Sequence, residues 1–466
     1  MYHGACITGV VVNEAYDYDL LCIGSGPAGQ RAAVLERERL VGGVCLHTGT
    51  IPSKTFREAV ISLTNRRNPF DNNGGDRNNT RATAEALFER VGAIIGRETQ
   101  VQEDQLRRND VDVISGVGEF GDAHTVVVHA SDGDRTISAD NILVAVGTSP
   151  APASDFGVAD PAVITSDEIL QLTELPRSMV VIGCGVVGIE YASMFASLGV
   201  EVTVVDGRKR PLEFLDEELV DELIHQMRAK RVIFRLSESV ERLEIMEGGL
   251  RRVVVHLNSG KRMASDMALI CAGRTGATAA LKLHSAGLEA DNRGRLVVDE
   301  NYRTGTPNIF AAGDVIGYPS LAATSSEQGR LAACKAFGAT ANPMPAHFPI
   351  GVYSIPEISM VGVPEHELTK NNVPYEVGVA RFREIARGQI LGDDTGFMKL
   401  IFHREDRRLL GAHIIGTGAT ELIHIGQCVI GLGGGLDYFV ETVFNYPTLA
   451  ECYKVAALDA HNRLSL

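Results

Sequence analysis

Three features of the 466-residue sequence predict an α/β fold with two glycine-loop units and a separate C-terminal unit. Two short apolar runs, residues 19–23 and 179–182, are each followed at once by a GxGxxG loop. The second loop leads into a helical pattern over 189–198, then Gly199 and the β-branched run 200–205, which together make a complete βαβ unit. Beyond residue 345 strand and helix patterns mix with no further loop of this kind, the pattern of an α+β unit.

Each apolar run has the length and composition of a buried parallel strand. The first leads into Gly24-Ser25-Gly26-Pro27-Ala28-Gly29. The carboxylate expected at the end of its second strand is best matched by Glu36, 12 positions after Gly24, whereas Gly183 and Asp206 are 23 apart. A βαβ unit takes roughly 30 residues. The first unit is therefore expected to be compressed after Ala33, to run on as one helix from Gln30 to Leu40, and to lack one parallel strand. The segment 65–81, rich in Asn, Arg, Gly and Asp, reads as a loop, and 82–110 as helix. The stretches 111–146 and 235–275 carry β-branched runs broken by turn residues, as meanders do. The resulting division is 1–160 and 291–345 for the first unit, 161–290 for the second, and 346–466 for the third.

Composition narrows the function. With 59 acidic against 44 basic residues the net charge is −15, which argues against general nucleic-acid binding. No apolar run reaches the roughly 18 residues of a membrane span, and the N-terminus lacks the pattern of a secretory signal. The eight cysteines include no CxxC pair, which argues against a metal ribbon and fits a reducing cytoplasm. No metal is expected.

A GxGxxG loop lets backbone approach a pyrophosphate, with the N–H groups of the following helix aimed at it. After a strand, before a helix and with an acidic residue about 20 positions on, the motif is a strong dinucleotide signal. The second loop meets these conditions through Gly183, Gly185, Val186, Val187, Gly188 and Asp206. Asp206 suits the ribose 2′-hydroxyl of NAD, whereas Arg208, Lys209 and Arg210 suit the 2′-phosphate of NADP, so the preference stays open. His424 lies in an apolar helical stretch and is expected as a core histidine, and Gly431–Gly435 as a plain loop.

The segment Gly42-Gly43-Val44-Cys45-Leu46-His47-Thr48-Gly49-Thr50-Ile51-Pro52-Ser53-Lys54, together with the two loops, resembles the pyridine nucleotide-disulfide oxidoreductase superfamily. In that family the segment holds Cys-x4-Cys, a redox disulfide against FAD. Here Thr50 stands in place of the second cysteine, and Tyr446 in place of the family's C-terminal proton-moving histidine, ahead of Glu451. This joint loss, with the motifs at 49–54, 187–195, 313–322, 353–359 and 444–448, looks like the soluble pyridine nucleotide transhydrogenase branch. The likeness runs from about Asp17 to Arg463, with residues 1–16 as an extension.

The resemblance implies the following roles. FAD is held by Gly24, Gly26, Pro27, Ala28, Gly29, Glu36, Arg37, Gly43, Val44, Cys45 and Lys54, by backbone at Gly118 and Ala322, by Gly147, and by Asp314 at the ribityl hydroxyls. Lys54 lies near flavin N5 and pairs with Glu190, while Gly273 and Arg274 close the nicotinamide site. Lys54, Glu190, Tyr446 and Glu451 form the catalytic set, the last two serving the partner's flavin in a homodimer. Cys45 reads as a small packed hydrophobe as readily as a flavin neighbour. The expected fold class is thus α/β, two Rossmann-like dinucleotide-binding domains for FAD and NAD(P) plus a C-terminal α+β dimerisation domain. The expected activity is reversible FAD-dependent hydride transfer between NADPH and NAD+, with NAD(H) and NADP(H) as substrates and no protein disulfide. Two further readings stay open: an NAD(P)H diaphorase or quinone reductase, and a nucleotide-binding homologue that has lost its flavin.

Overall fold

The computed structural model describes residues 15–26, 33–65, 84–152, 156–246 and 251–464. The expected loop positions Pro27, Ala28 and Gly29, and the polar segment 66–81, lie outside the described residues.

The first sheet is built on Tyr18–Ile23, whose apolar residues 20–23 are buried on both faces. It lies parallel to Ala33–Glu36 on one side and to Gly133–Val144 on the other. Val113–Ser115 extends the sheet beyond Ala33–Glu36, and Thr125–Ala130 and Val117–Phe120 form an antiparallel meander at its other side. Ile309–Ala311 pairs with Gly133–Val144, so the sheet is completed by chain that returns after the second unit.

This corrects the expectation for the first unit. No parallel strand is lost: residues 33–36 form one, with Leu21 opposite Ala33 and Ile23 opposite Leu35. The expected helix through Gln30–Leu40 is replaced, from Ala33 onward, by this strand and the bends at 37–40. The shortfall therefore lies ahead of Ala33, where nine positions (24–32) separate the strands, against eighteen (183–200) in the second unit. Pairing three residues of a parallel strand requires a return of roughly 10 Å, within reach of nine residues at up to about 3.5 Å each. Chain reach, not a helix, is the minimum requirement.

The second sheet is wholly parallel, in the order Ile233–Leu236, Glu201–Asp206, Ser178–Ile182, Met267–Ile270 and Val163–Thr165. Helix Val186–Ser197 crosses between Ser178–Ile182 and Glu201–Asp206, and Gly199 follows it with φ +91°. Nine of this helix's twelve residues are buried, because it is packed between its own sheet and the other two units. The meander Val240–Met246, Arg252–Leu257, Arg262–Ser265 stands beside it.

The third unit is an antiparallel sheet in the order Ile350–Val352, Ile358–Gly362, Leu409–Ile415, Phe397–His403 and Tyr375–Arg381, covered by helices Ala419–Gly431 and Glu451–Leu464. Tyr453 ties these helices together, accepting from Gly426 N at 3.0 Å and donating to Leu422 O at 2.8 Å. His424 is exposed and bonds Gln427 at 2.8 Å, so it is not a core histidine. Helix Ala419–Gly431 buries Ala419, Ile423, Gly426 and Val429, and His424 falls off that stripe. The loop expected over 431–435 lies between two helices, with Gly433 at φ +68°. Among the described residues no helix is long and apolar enough to cross a membrane, and no cluster of side chains suits a metal.

Two of the contacts between the units are an aromatic cluster and a buried lysine. Phe56, on helix Thr50–Asn65, packs on Tyr191 and Phe195 of helix Val186–Ser197, with ring centroids 6.4 and 5.7 Å apart. Farther out, Lys399 of the third sheet is 1% exposed and reaches three carboxylates: Asp216 at 3.1 Å, Glu218 at 2.8 Å, and Glu365. Burial opposes the charge on Asp216, yet His413, Lys399 and the Glu365 N–H hold its carboxyl below the usual range. Asp216 thus adds stability at neutral pH that is lost as pH falls through its depressed pKa. Lys399→Met leaves buried Asp216 without its cation and should cost on the order of 3 kcal/mol at pH 7. The deficit should shrink at a pH below the depressed pKa of wild-type Asp216, where that carboxyl is protonated in both proteins. Urea midpoints at the two pH values check this, and equal midpoints at pH 7 would refute it.

Candidate functional site

The two glycine loops have the same backbone wiring. Gly24 N donates to Leu35 O and Gly183 N to Val205 O, each at 2.8 Å. Both glycines have positive φ, +107° and +110°, and a Cβ at either would run into a carbonyl of the neighbouring strand segment, so only glycine fits. One residue on, Ser25 N donates to Glu36 at 3.0 Å and Cys184 N to Asp206 at 2.7 Å. Glu36 therefore occupies in the first unit the place of Asp206 in the second, despite the shorter spacing. Ser25 Oγ also donates to Glu36 and accepts from Gly42 N at 2.8 Å, which draws the segment 42–47 onto the loop.

Gly43, Val44 and Cys45 lie in the short helix Gly43–His47, and a Cβ on Gly43 would sit 3.2 Å from Gly26 Cα. Gly118 lies in the meander against Leu35, and Arg37 is exposed and paired with Glu38 at 3.4 Å. Ala322 starts helix Ala322–Ala336, and Gly147 has φ +65° with its carbonyl accepting from Ala277 N.

At the centre, Lys54 Nζ lies 2.8 and 3.1 Å from the two oxygens of Glu190. Glu190, 3% exposed, also accepts from Tyr353 N at 2.8 Å, and Lys54 stands 4.9 Å from the Tyr353 ring centroid. Lys54 comes from the first unit, Glu190 from the second and Tyr353 from the third. Burial pushes the Cys45 thiol up; its hydrogen bond with Thr50 and the charge of Lys54 act against this, and Asp314 adds to it. Burial likewise raises the Asp314 carboxyl, with Arg274 and Thr148 opposing. Arg274 donates to Thr148 Oγ1 and O, both at 2.8 Å, and to Asp167 at 3.1 Å. Cys45, Thr50, Lys54, Asp314, Thr148 and Arg274 therefore share one electrostatic neighbourhood.

In the second loop, Val186, Val187, Gly188 and Glu190 open helix Val186–Ser197, and Gly185 precedes it. The Cys184 thiol is pushed up to about 12, by burial first and then by Asp206. Gly273 has φ +113° and its carbonyl accepts from Ala151 N. Tyr446 is 69% exposed, and no hydrogen bond or ion pair joins it or Glu451 to Lys54 or Glu190 within the described residues. Glu451 Oε2 is buried there without a hydrogen-bond partner. Sequence reasoning did not single out Tyr353, Ser25, Thr148 or Asp167 as site residues. Tyr353 contributes a backbone N–H, which leaves no side-chain signal, whereas Ser25 was visible inside its loop.

Residues 18–329 match the family described as pyridine nucleotide-disulphide oxidoreductase, and residues 348–457 match that family's dimerisation domain. The chain is similar to a Mycobacterium tuberculosis protein named soluble pyridine nucleotide transhydrogenase, 49% identical over 461 residues, covering 96% of this chain and 98% of that one. A protein of the same name from Colwellia psychrerythraea is 42% identical over 470 residues, covering 97% and 100%. Among solved structures, LpdA from Mycobacterium tuberculosis has a TM-score of 0.86 at 26% identity, covering 94% of this chain and 99% of that one. The HOCl-induced flavoprotein disulfide reductase RclA from Escherichia coli has a TM-score of 0.84 at 26% identity, covering 95% and 99%.

Glu190 anchors this site, and its two functions can be separated. Glu190→Ala removes the partner of Lys54 and the acceptor of Tyr353 N, and should cost about 3–5 kcal/mol. Glu190→Gln keeps an amide oxygen for Tyr353 N and should cost only about 1–3 kcal/mol. Urea midpoints decide; equal losses would mean that the Tyr353 bond contributes nothing.

Proposed function

Because the chain belongs to the pyridine nucleotide-disulphide oxidoreductase family, we propose that it is an FAD-dependent enzyme moving hydride reversibly between NADPH and NAD+, without a redox disulfide. The observation that carries this reading is the pairing of Cys45 with Thr50, a hydroxyl, where a disulfide reductase requires a second thiol. The relatives named as transhydrogenases, matched over nearly the full length, support it.

The residues present fit a flavin. Asp314 has one long contact among the described residues, Thr148 at 3.5 Å, so its carboxylate retains capacity to accept from hydroxyl groups. Ser25, Glu36 and Gly43 would hold the adenosine side, and Asp314 and Lys54 the other end. FAD, when bound, supplies a two-electron carrier able to take hydride from one nicotinamide nucleotide and give it to another. Lys54, held in place by Glu190, presents an ammonium to the negative charge that builds up during transfer. The loop at 183–188 and Asp206 bind the nucleotide, and Arg274 braces the wall through Thr148 and Asp167. No side chain has to gain or lose a proton, in keeping with Tyr446 in place of a histidine. The match at 348–457 supports a homodimer, which would bring Tyr446 and Glu451 to the partner's flavin. No disulfide joins any two of the seven described cysteines, which suits the reducing cytoplasm.

Purified protein should transfer hydride from NADPH to an NAD+ analogue and leave lipoamide and glutathione unreduced. Cys45→Ser should keep most of this activity; a loss beyond about a hundredfold, or about 2.7 kcal/mol of barrier, would reveal a chemical role for the thiol. Lys54→Met should slow cofactor reduction on the order of a hundredfold in stopped flow while changing nucleotide affinity far less. Unchanged reduction with altered affinity would sink the role given to Lys54.

A second expectation concerns the short crossover. Nine positions between the first two strands are fewer than the twelve residues of the helix that fills the second unit. FAD should be held weakly, so that purified protein is partly flavin-free and gains activity on adding FAD. Adding about 11 residues ahead of Ala33, the difference between the two spacings of 23 and 12, should tighten it. Stoichiometric FAD surviving dialysis of the unaltered protein would show that the shorter path suffices.

A further inference from the structure

The carboxylates ending the two equivalent strands are treated oppositely by the residue two positions on. In the first unit that residue is Glu38, whose N–H donates to Glu36 at 3.0 Å while its side chain pairs elsewhere, with Arg37. In the second it is Arg208. Its N–H donates to Asp206 Oδ1 at 2.8 Å in the same manner, but its guanidinium also folds back onto the same carboxylate. Nε reaches Oδ1 at 3.0 Å and Nη2 reaches Oδ2 at 2.7 Å. With Cys184 N on Oδ2, Asp206 accepts four hydrogen bonds, about the full capacity of a carboxylate. The guanidinium lies over the glycine loop, with Nη2 3.9 Å from where a Cβ on Gly185 would be. Its side chain is 45% exposed, so it has room to leave. Arg210 is held away from the loop by Asp221 at 2.8 Å and Glu217 at 3.1 Å.

From this geometry we infer that Asp206 and Arg208 act as a two-position selector that lets one site accept both nicotinamide nucleotides, an inference that rests on the transhydrogenase reading above. A ribose 2′-hydroxyl needs an acceptor, and Asp206 has none to spare until Arg208 gives one up. A 2′-phosphate needs a cationic fork, and Arg208 provides one by turning off Asp206, which keeps its two backbone N–H partners. Both nucleotides must open the same pair. NAD(H) then uses the carboxylate and NADP(H) the guanidinium, so neither is favoured by the cost of opening. The first unit has Glu38 at this position, and among the described residues no guanidinium lies on the Glu36 carboxylate, consistent with a loop that serves one nucleotide only.

The selector predicts opposite shifts, which an ordinary contact would not produce. Arg208→Met frees Asp206, so NADP+ should bind about ten- to a hundredfold more weakly and NAD+ more tightly than to wild type. Asp206→Asn frees Arg208 while keeping an oxygen for the Cys184 N–H, so NADP+ should tighten and NAD+ weaken. Arg208→Lys keeps the charge without the fork and should recover only part of the NADP+ affinity. Calorimetric titration of holoenzyme with NAD+ and NADP+ separately reads these shifts without any hydride transfer. Parallel weakening of both nucleotides in either variant, or no change in their ratio, overturns the selector alone. Wild-type protein that binds only one of the two overturns the selector and the transhydrogenase reading together.

Discussion

The Glu190 carboxylate is the joint of this molecule. It is almost fully buried, and a buried charge persists only when paired and hydrogen-bonded. Its two partners come from different places, Lys54 from the first unit and the Tyr353 N–H from the third. Satisfying Glu190 therefore requires all three units to be seated. The aromatic cluster of Phe56, Tyr191 and Phe195 sets the approach of the two helices, but dispersion is non-directional and tolerates some sliding. The ion pair and its amide bond supply the direction. The same contact places an ammonium near Cys45, so the interaction that orients the units also gives the site a positive charge.

What was legible in the sequence was what is local. The second unit announces itself by an apolar run, a glycine loop, a helix and a carboxylate, all within one short stretch. The first unit was misread because a rule about crossover length was applied to a pairing that depends only on chain reach. Its backbone bonds, Gly24 to Leu35 and Ser25 to Glu36, match those of the second unit. His424 was misplaced because its neighbours are apolar, although burial follows the helical stripe rather than the run. Lys399, buried within Phe397–His403, was not singled out, since its three carboxylates come from segments far away in sequence. The pairing of Lys54 with Glu190 came from family resemblance, because nothing local to either residue indicates the other.

The two loops illustrate how a repeated backbone acquires separate uses. Strand, turn, amide and carboxylate are reproduced bond for bond. The difference lies in what surrounds the carboxylate: a serine hydroxyl at Glu36, a guanidinium at Asp206. Burial disfavours the charged form of Asp206, but Arg208 and the two backbone N–H groups hold its carboxyl well below the usual range, and Arg208 is raised in turn. The pair is therefore fully ionised near neutrality and nearly neutral as a unit. A neutral unit neither attracts nor repels a phosphate strongly until it opens, so selection depends on which partner is taken up.

The same economy of charge bears on the lost thiol machinery. A dithiol mechanism needs a thiolate and a base that moves protons. Here burial raises the Cys45 thiol, and Tyr446 stands where the family's proton-moving histidine would be. Glu451 remains, with one buried oxygen unpartnered among the described residues. A hydride carries its proton and both electrons together, so its transfer through a bound carrier leaves no proton for the protein to deliver. What it leaves is a change of charge in a partly dry site. Lys54, locked by Glu190, is placed to meet that change, and the reaction proposed for this protein needs no proton-moving side chain beside it.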